Sequence, residues 1–169
     1  MNKFIKIKNL ILKIITFPLR KSEKFVSFKN SIRLRNLSNK LRGLNHIFGF
    51  SEKEKLFYVN ENNLKHYFAN KERGFNLYEY GIERRSQILA NSYLLKNIKF
   101  NRDDIVIDCG ANYADLWIFL KNYINENSYF TFEPGLEEYN TIVLNSPKGI
   151  HHNIGLGDGN YEKIFYVNH

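Results

Sequence analysis

The chain has 169 residues, of which 43% are apolar and 25% are charged, and its formal net charge is +8. This length fits one ordinary domain with an appendage, and the composition excludes a disordered chain. The single cysteine, Cys109, excludes an internal disulfide and a multi-cysteine zinc site, which favours a cytoplasmic location.

The positive charge is concentrated near the N-terminus. Residues 1–50 hold 12 of the 25 Lys and Arg residues but one of the 17 acids, Glu23, so their net charge is +11 and that of residues 51–169 is −3. Anionic lipid, nucleic acid and acidic glycans are all chemically suitable partners for such a segment. No nucleic-acid motif is present, so we expect no nucleic-acid partner.

The first 18 residues predict a basic amphipathic helix, because apolar side chains recur at helical spacing among lysines: Phe4, Ile7, Ile11, Ile14 and Ile15. The apolar stretch over residues 10–19 is too short to cross a membrane and lacks a signal-peptide cleavage site. A helix packed on its own domain is the favoured interpretation, and a helix on a membrane surface stays open. Residues 1–50 are thus predicted to be a helical basic extension with a peripheral membrane contact as its candidate partner.

Residues 51–80 are predicted to be a connecting segment, with a strand or turn over residues 55–59 and a helix over 64–68. Residues 81–169 are predicted to form the main domain, which opens with a helix over 81–99. Strands at 105–107, 129–132 and 150–156 then alternate with helices at 116–124 and 136–144, and residues 164–167 are strand-like. This alternation predicts an α/β fold with a doubly wound parallel sheet that is buried on both faces.

Candidate ligand-binding residues follow the first two strands of this sheet. Asp108, Gly110, Ala111 and Asn112 lie where the first strand ends, which is where open α/β sheets bind ligands. The small residues leave space for a ligand near the backbone, and the acid can accept a hydrogen bond from a cationic group. Glu133 ends the second strand, where a carboxylate can bind both ribose hydroxyls of an adenosine.

Three stretches resemble the successive signatures of FkbM-type methyltransferases: Val-Ile-Asp-Cys-Gly-Ala-Asn from residue 106, Phe-Thr-Phe-Glu-Pro-Gly from 130, and Asn-Ile-Gly-Leu-Gly-Asp from 153. The resemblance covers residues 81–169. It implies a Rossmann-like methyltransferase fold that binds S-adenosylmethionine. It also implies that Asp108, Gly110, Ala111 and Asn112 hold the methionine part, Glu133 the ribose, and Leu156, Gly157 and Asp158 the adenine edge.

The chain departs from the family pattern in two places. Ala114 stands where the family has a glycine, and its methyl group disfavours a positive φ at this turn. The family also continues through further strands that form the opposite wall of the cofactor cleft and the acceptor pocket, whereas this sequence stops at His169. The fold is therefore expected to be truncated, either because the chain is a fragment or because a partner chain completes it.

Three further signals are interpreted as structural. His151 and His152 are adjacent in a strand and point to opposite faces, so they cannot chelate one ion, and no metal is expected. Trp117 is expected in the core, and Cys109 is interpreted as a small packing residue rather than a nucleophile.

The favoured function is S-adenosylmethionine-dependent methylation of a small-molecule or glycan hydroxyl, an acceptor class that the family resemblance implies. No catalytic base is identified, and the activity of the chain by itself stays open. A nicotinamide-dependent oxidoreductase is disfavoured, because the turn after Gly110 lacks the expected glycine pattern. The alternative is a non-catalytic basic module that binds a membrane or a polyanion. The sequence leaves the oligomeric state open.

Overall fold

The computed structural model describes residues 3–22 and 26–159, beginning with two helices, α1 (Lys3–Ser22) and α2 (Phe28–Leu41). The predicted N-terminal helix is confirmed and continues beyond Pro18 to Ser22. No helix in these two stretches is long and apolar enough to cross a membrane.

The predicted apolar stripe of α1 does not face the rest of the protein. Thr16 is buried, whereas Ile11, Ile14 and Ile15 are exposed. The side chains of Phe4 and Ile7 lie outside what the structure describes. Packing of this stripe on its own domain, the favoured interpretation, is therefore wrong for its three described members. Hydrophobic spacing identifies a helix face but not whether that face meets protein or solvent.

An antiparallel sheet follows, with β1 (Ile47–Ser51), β2 (Leu56–Glu61) and β3 (Leu64–Phe68) in that spatial order. The prediction of a helix over residues 64–68 is wrong, because β3 pairs with β2. Asn62 and Asn63 have φ angles of 51° and 65°, the left-handed conformation that a two-residue hairpin turn requires at both positions. Asparagine tolerates this conformation, so the two residues reverse the chain directly after Glu61.

Two helices connect the antiparallel sheet to the next one: α3 (Lys71–Leu77) and α4 (Ile82–Ser92). Asn70 caps α3, since its side chain accepts a hydrogen bond from the backbone N–H of Arg73 at 2.9 Å. The helix predicted over residues 81–99 is confirmed over α4 but ends at Ser92. Leu94 has a φ of 56°, and a short 3₁₀ turn, Leu95–Asn97, follows.

A parallel sheet is formed by β4 (Val106–Cys109), β5 (Tyr129–Phe132) and β6 (Ile150–His152), in chain order. The crossovers contain α5 (Trp117–Leu120) and α6 (Leu136–Asn145). The mixed α/β class is therefore confirmed, whereas the doubly wound arrangement stays a prediction. The predicted helix over 116–124 is one turn long, the predicted strand over 150–156 ends at His152, and residues 164–167 lie outside the described part.

The two faces of the parallel sheet differ. Tyr129 and Thr131 are buried on the face that α5 and α6 cover, and the ring of Trp117 stacks on Tyr129 there. On the opposite face Ile107 is exposed and Phe130 and Phe132 are half-buried. Burial on both faces is therefore wrong for the described residues, because both crossovers place their helices on the same side.

Two polar contacts join the sheets. Asn145 of α6 accepts a hydrogen bond from the backbone N–H of Tyr67 at 2.7 Å and donates to the carbonyl oxygens of Tyr67 and Tyr113 at 2.9 and 2.8 Å. The buried carboxylate of Asp115 accepts hydrogen bonds from three further side chains: His66 at 3.0 Å, Tyr78 at 2.5 Å and Arg85 at 2.9 Å. The segment after β4 and the end of α6 are thus joined to the antiparallel region by hydrogen bonds.

Candidate functional site

The candidate site lies at the carboxyl ends of β4 and β5, where Asp108 is the first polar residue. The hydroxyl of Tyr129, from β5, donates a hydrogen bond to Asp108 Oδ2 at 2.6 Å. Burial raises the pKa of Asp108, the Tyr129 hydrogen bond lowers it, and the nearby charges of Asp115 and Glu133 raise it again, with a net upward shift. Asp115 is paired with Arg85, so Asp108 and Glu133 are the two acids at this end of the sheet that could attract a cationic ligand.

The loop after β4 has an unusual backbone. Gly110, Asn112 and Ala114 have φ angles of 76°, 53° and 58°, so three residues of five adopt left-handed conformations. The side of Gly110 where a side chain would start is open, with no atom within 4 Å apart from its chain neighbours. Ala111 instead points into the core, where it is buried. The backbone of the loop is therefore open to a ligand at Gly110, whereas the side chain of Ala111 packs in the core.

Ala114 adopts the conformation that a methyl group disfavours. In the sequence, Ala114 stands at a position where the family has a glycine and where a methyl group disfavours a positive φ. The φ of Ala114 is indeed positive, and this left-handed conformation costs an alanine about 1 kcal/mol. The methyl group is fully buried in the cluster that contains Leu116 and Trp117. Burial of this group against apolar neighbours offsets part of the conformational cost.

Glu133 connects the two strand ends. Its Oε2 accepts a hydrogen bond from the backbone N–H of Asn112 at 2.8 Å, and its Oε1 accepts one from the N–H of Gly135 at 3.0 Å. The carboxylate is therefore held by two backbone donors, one from each motif that the sequence singles out. The side chain is mostly buried, so it is fixed in one orientation.

The third predicted group is placed differently. Leu156, Gly157 and Asp158 follow the end of β6 and are exposed. The residue after β6 that contacts the site is Asn153. Its side-chain amide donates hydrogen bonds to the carbonyl oxygens of Glu133 and Pro134 at 2.9 and 3.2 Å. The structure thus brings together Asp108, Gly110, Asn112 and Glu133, with Leu156–Asp158 in the exposed loop beyond Asn153.

Sequence reasoning missed Tyr129, Asn153 and Asp115. Tyr129 begins β5 on the same face as Asp108, so the parallel register offered a signal for that contact. Asn153 directly follows β6, just as Glu133 directly follows β5. A polar residue at the equivalent strand end could therefore have been predicted to lie near the site. Asp115 had none, because its partner His66 lies 49 residues away in the other sheet.

Of the residues interpreted as structural, three have the predicted placement and one does not. Trp117 is buried, as predicted. His151 contacts the Thr131 hydroxyl and the Ser146 carbonyl, whereas His152 stacks on Phe132, so the two rings face opposite sides as expected. Cys109 is exposed, so its interpretation as a packing residue is wrong. It lies on the same uncovered face of β4 as Ile107.

Within residues 3–22 and 26–159, no group of three or more His, Cys, Asp or Glu side chains is arranged to hold a metal ion. The chain matches no protein family, and comparison with curated proteins and with solved structures gives no match either.

Proposed function

We propose that this chain carries one wall of the S-adenosylmethionine site of an FkbM-type methyltransferase. The observation that supports this most is the hydrogen bond from the Asn112 N–H to Glu133 Oε2, at 2.8 Å. It joins the Asp-x-Gly-Ala-Asn loop and the strand-terminal acid, the two motifs on which the resemblance depends. Both lie at the carboxyl ends of adjacent parallel strands, the edge where open α/β sheets bind ligands.

The residues present fit one side of this cofactor. The open space at Gly110 admits a ligand against the backbone. Asp108 and Glu133 are acids that interact with each other electrostatically, and S-adenosylmethionine carries positive charge on its sulfonium and ammonium groups. These two carboxylates would therefore favour the cofactor over an anionic ligand such as a nucleotide phosphate.

Glu133 retains the capacity to bind a ribose. A carboxylate has about four lone-pair positions, and the Asn112 and Gly135 N–H groups use one on each oxygen. In the proposed site the remaining positions would accept hydrogen bonds from two ribose hydroxyls. Because the backbone donors already fix the carboxylate, little side-chain entropy is lost when a ribose binds.

In the proposed site the cofactor supplies an electrophilic methyl group, and this chain binds and orients it. Methyl transfer to a hydroxyl depends largely on alignment of donor and acceptor. A small-molecule or glycan hydroxyl is the acceptor class that the resemblance implies. In the proposed site the described residues would form one wall of the cofactor cleft. We therefore expect cofactor binding by this chain but little or no turnover with labelled S-adenosylmethionine and a panel of hydroxylated acceptors.

Calorimetry with S-adenosylhomocysteine tests the proposal. We expect Glu133→Ala to weaken binding at least tenfold, because charge-assisted hydrogen bonds contribute roughly 1.5–3 kcal/mol. Asp108→Asn should also weaken binding, while it keeps an acceptor for the Tyr129 hydroxyl. Glu137→Ala, which removes an exposed acid from the first turn of α6, is the matched control and should leave affinity unchanged.

Thermal unfolding of each variant separates loss of binding from loss of structure, because Glu133 also accepts two backbone hydrogen bonds. Equal affinity in folded Glu133→Ala and in the parent chain would remove the ribose role. Absence of binding by the folded parent chain at millimolar ligand would reject the cofactor site.

A further inference from the structure

A cleft of about 400 Å³ lies between α1, α2 and α3, and none of its lining residues belongs to the candidate cofactor site. Among the described residues, its walls include Phe17 and Phe75 and one acid, Glu72. Four cationic side chains line it: Arg20 and Lys21 from α1, Arg35 from α2 and Lys71 from α3. A concave surface with this excess of positive charge is suited to an anion.

The cleft cations are held in place by packing and by shared acids. The guanidinium of Arg35 is buried and lies 4.8 Å from the ring centre of Phe75. Arg20 pairs with Glu79 at 2.8 Å, and the same carboxylate oxygen accepts from Arg42 at 3.2 Å. Because one carboxylate is shared between two guanidinium groups, it neutralises only one of their two positive charges. Arginine side chains fixed in this way are well suited to bind phosphate oxygens.

An exposed apolar face of α1 adjoins this cleft. Ile11, Ile14 and Ile15 occupy one side of the helix by their spacing, and all three are exposed. Phe17, also exposed, follows Ile14 by three residues, which makes the two side chains neighbours on the helix surface, and it lines the cleft. Contiguous exposed apolar side chains bordered by cations are typical of helices that lie in a membrane interface, with the apolar face among acyl chains and the cations at headgroup depth.

We propose that α1 contacts the surface of an anionic membrane and that the cleft binds the phosphate of an anionic phospholipid. Residues 1–50 carry a net charge of +11, which complements such a surface. A nucleic acid would use the cations but would leave the apolar face of α1 exposed. The combination of cleft and apolar face therefore favours lipid. This inference does not depend on the proposed methyltransferase activity.

Vesicle co-sedimentation of the full chain tests the role of the cleft. Binding to phosphatidylglycerol-containing vesicles should exceed binding to phosphatidylcholine vesicles and should decrease with salt. The double variant K21Q/K71Q should lower the affinity at least about fivefold. K53Q/K55Q removes the same charge from the exposed turn between β1 and β2 and should lower it less than about twofold. Equal losses in the two double variants would overturn the cleft as a specific site.

A second pair of variants tests the apolar face of α1, at two isoleucines with nearly equal solvent exposure. Ile14 is 65% exposed and Ile105, in the other half of the protein, is 66% exposed. Ile14→Gln should weaken vesicle binding severalfold and Ile105→Gln should leave it unchanged, because only the first side chain would enter the interface. Equally strong binding to an oligonucleotide, or equal vesicle binding by Ile14→Gln and the parent chain, would overturn the assignment to lipid.

Discussion

The two sheets of this chain are each covered on one face, but their second faces differ in chemistry. The uncovered face of the antiparallel sheet includes Lys65, which lies over the rings of Tyr58 and Tyr67. The uncovered face of the parallel sheet includes Ile107 and Ile150, both exposed apolar residues. Antiparallel sheets commonly leave one polar face in water, whereas parallel sheets are normally covered on both sides. The uncovered face described at Lys65 is therefore suited to water, whereas the uncovered face of the parallel sheet is suited to a further protein layer.

The largest expected effect lies at the junction between these regions. Asp115→Ala should destabilise the fold by about 3–5 kcal/mol, because it leaves the His66, Tyr78 and Arg85 donors without their shared buried acceptor. Burial would raise the pKa of Asp115, but the hydrogen bonds and charges of these partners hold it below its usual value. Urea unfolding measures the difference.

Asp103→Ala is the control for this substitution, because Asp103 is exposed and accepts a single 3.3 Å hydrogen bond from Asn125. It should change the stability by less than about 0.5 kcal/mol. A loss for Asp115→Ala as small as that of the control would show that the two sheets are joined by other contacts.

Substitution of one residue type in both regions sharpens the comparison. Ile82 is 1% exposed in the antiparallel core, and Ile107 is 61% exposed on the uncovered face of β4. Ile82→Ala should cost about 2–5 kcal/mol through lost burial and a residual cavity. Ile107→Ala should cost less than about 0.5 kcal/mol. Similar losses in urea unfolding would indicate that Ile107 is buried in solution, for example against a second copy of the chain.

A smaller effect, of about 3 kcal/mol at most, is expected from the pH dependence of the antiparallel region. Burial, together with the charges of Arg42 and Arg35, lowers the pKa of His46 to about 4 from 6.5. The neutral ring accepts a hydrogen bond from the Asn39 amide at 3.0 Å. In the unfolded chain His46 binds a proton below about pH 6.5, so stability should fall as the pH drops from 6.5 to 4.

Comparison with His46→Gln isolates this contribution, because the other titrating groups cancel in the difference. The variant should lose less stability than the parent chain across this window, as measured by urea unfolding at each pH. Parallel profiles for the two proteins would show that His46 does not drive the pH dependence.

The local part of this architecture could be predicted from sequence. The alternation of apolar strands and helices predicts β4, β5 and α6, and parallel strands end at a common edge, so Asp108 and Glu133 were expected to lie close together. The hairpin at Asn62 and Asn63 was not predicted, although two adjacent asparagines favour the left-handed conformation of such a turn. The contact between Asn145 and Tyr67 joins residues 78 positions apart, and no local pattern signals it. The solvent exposure of the apolar stripe of α1 could not be predicted either, because hydrophobic periodicity does not show whether a helix face packs on protein or faces solvent.

The most direct test of the central claim is a backbone amide NMR titration of the chain with S-adenosylhomocysteine. The largest shift changes should occur at Gly110, at Asn112 and at Gly135, because the first borders the open space and the other two donate to the Glu133 carboxylate that would meet the ribose. The amides around the α1 cleft should not shift. Saturable changes centred elsewhere, or none at millimolar ligand, would contradict a cofactor site at the ends of β4 and β5.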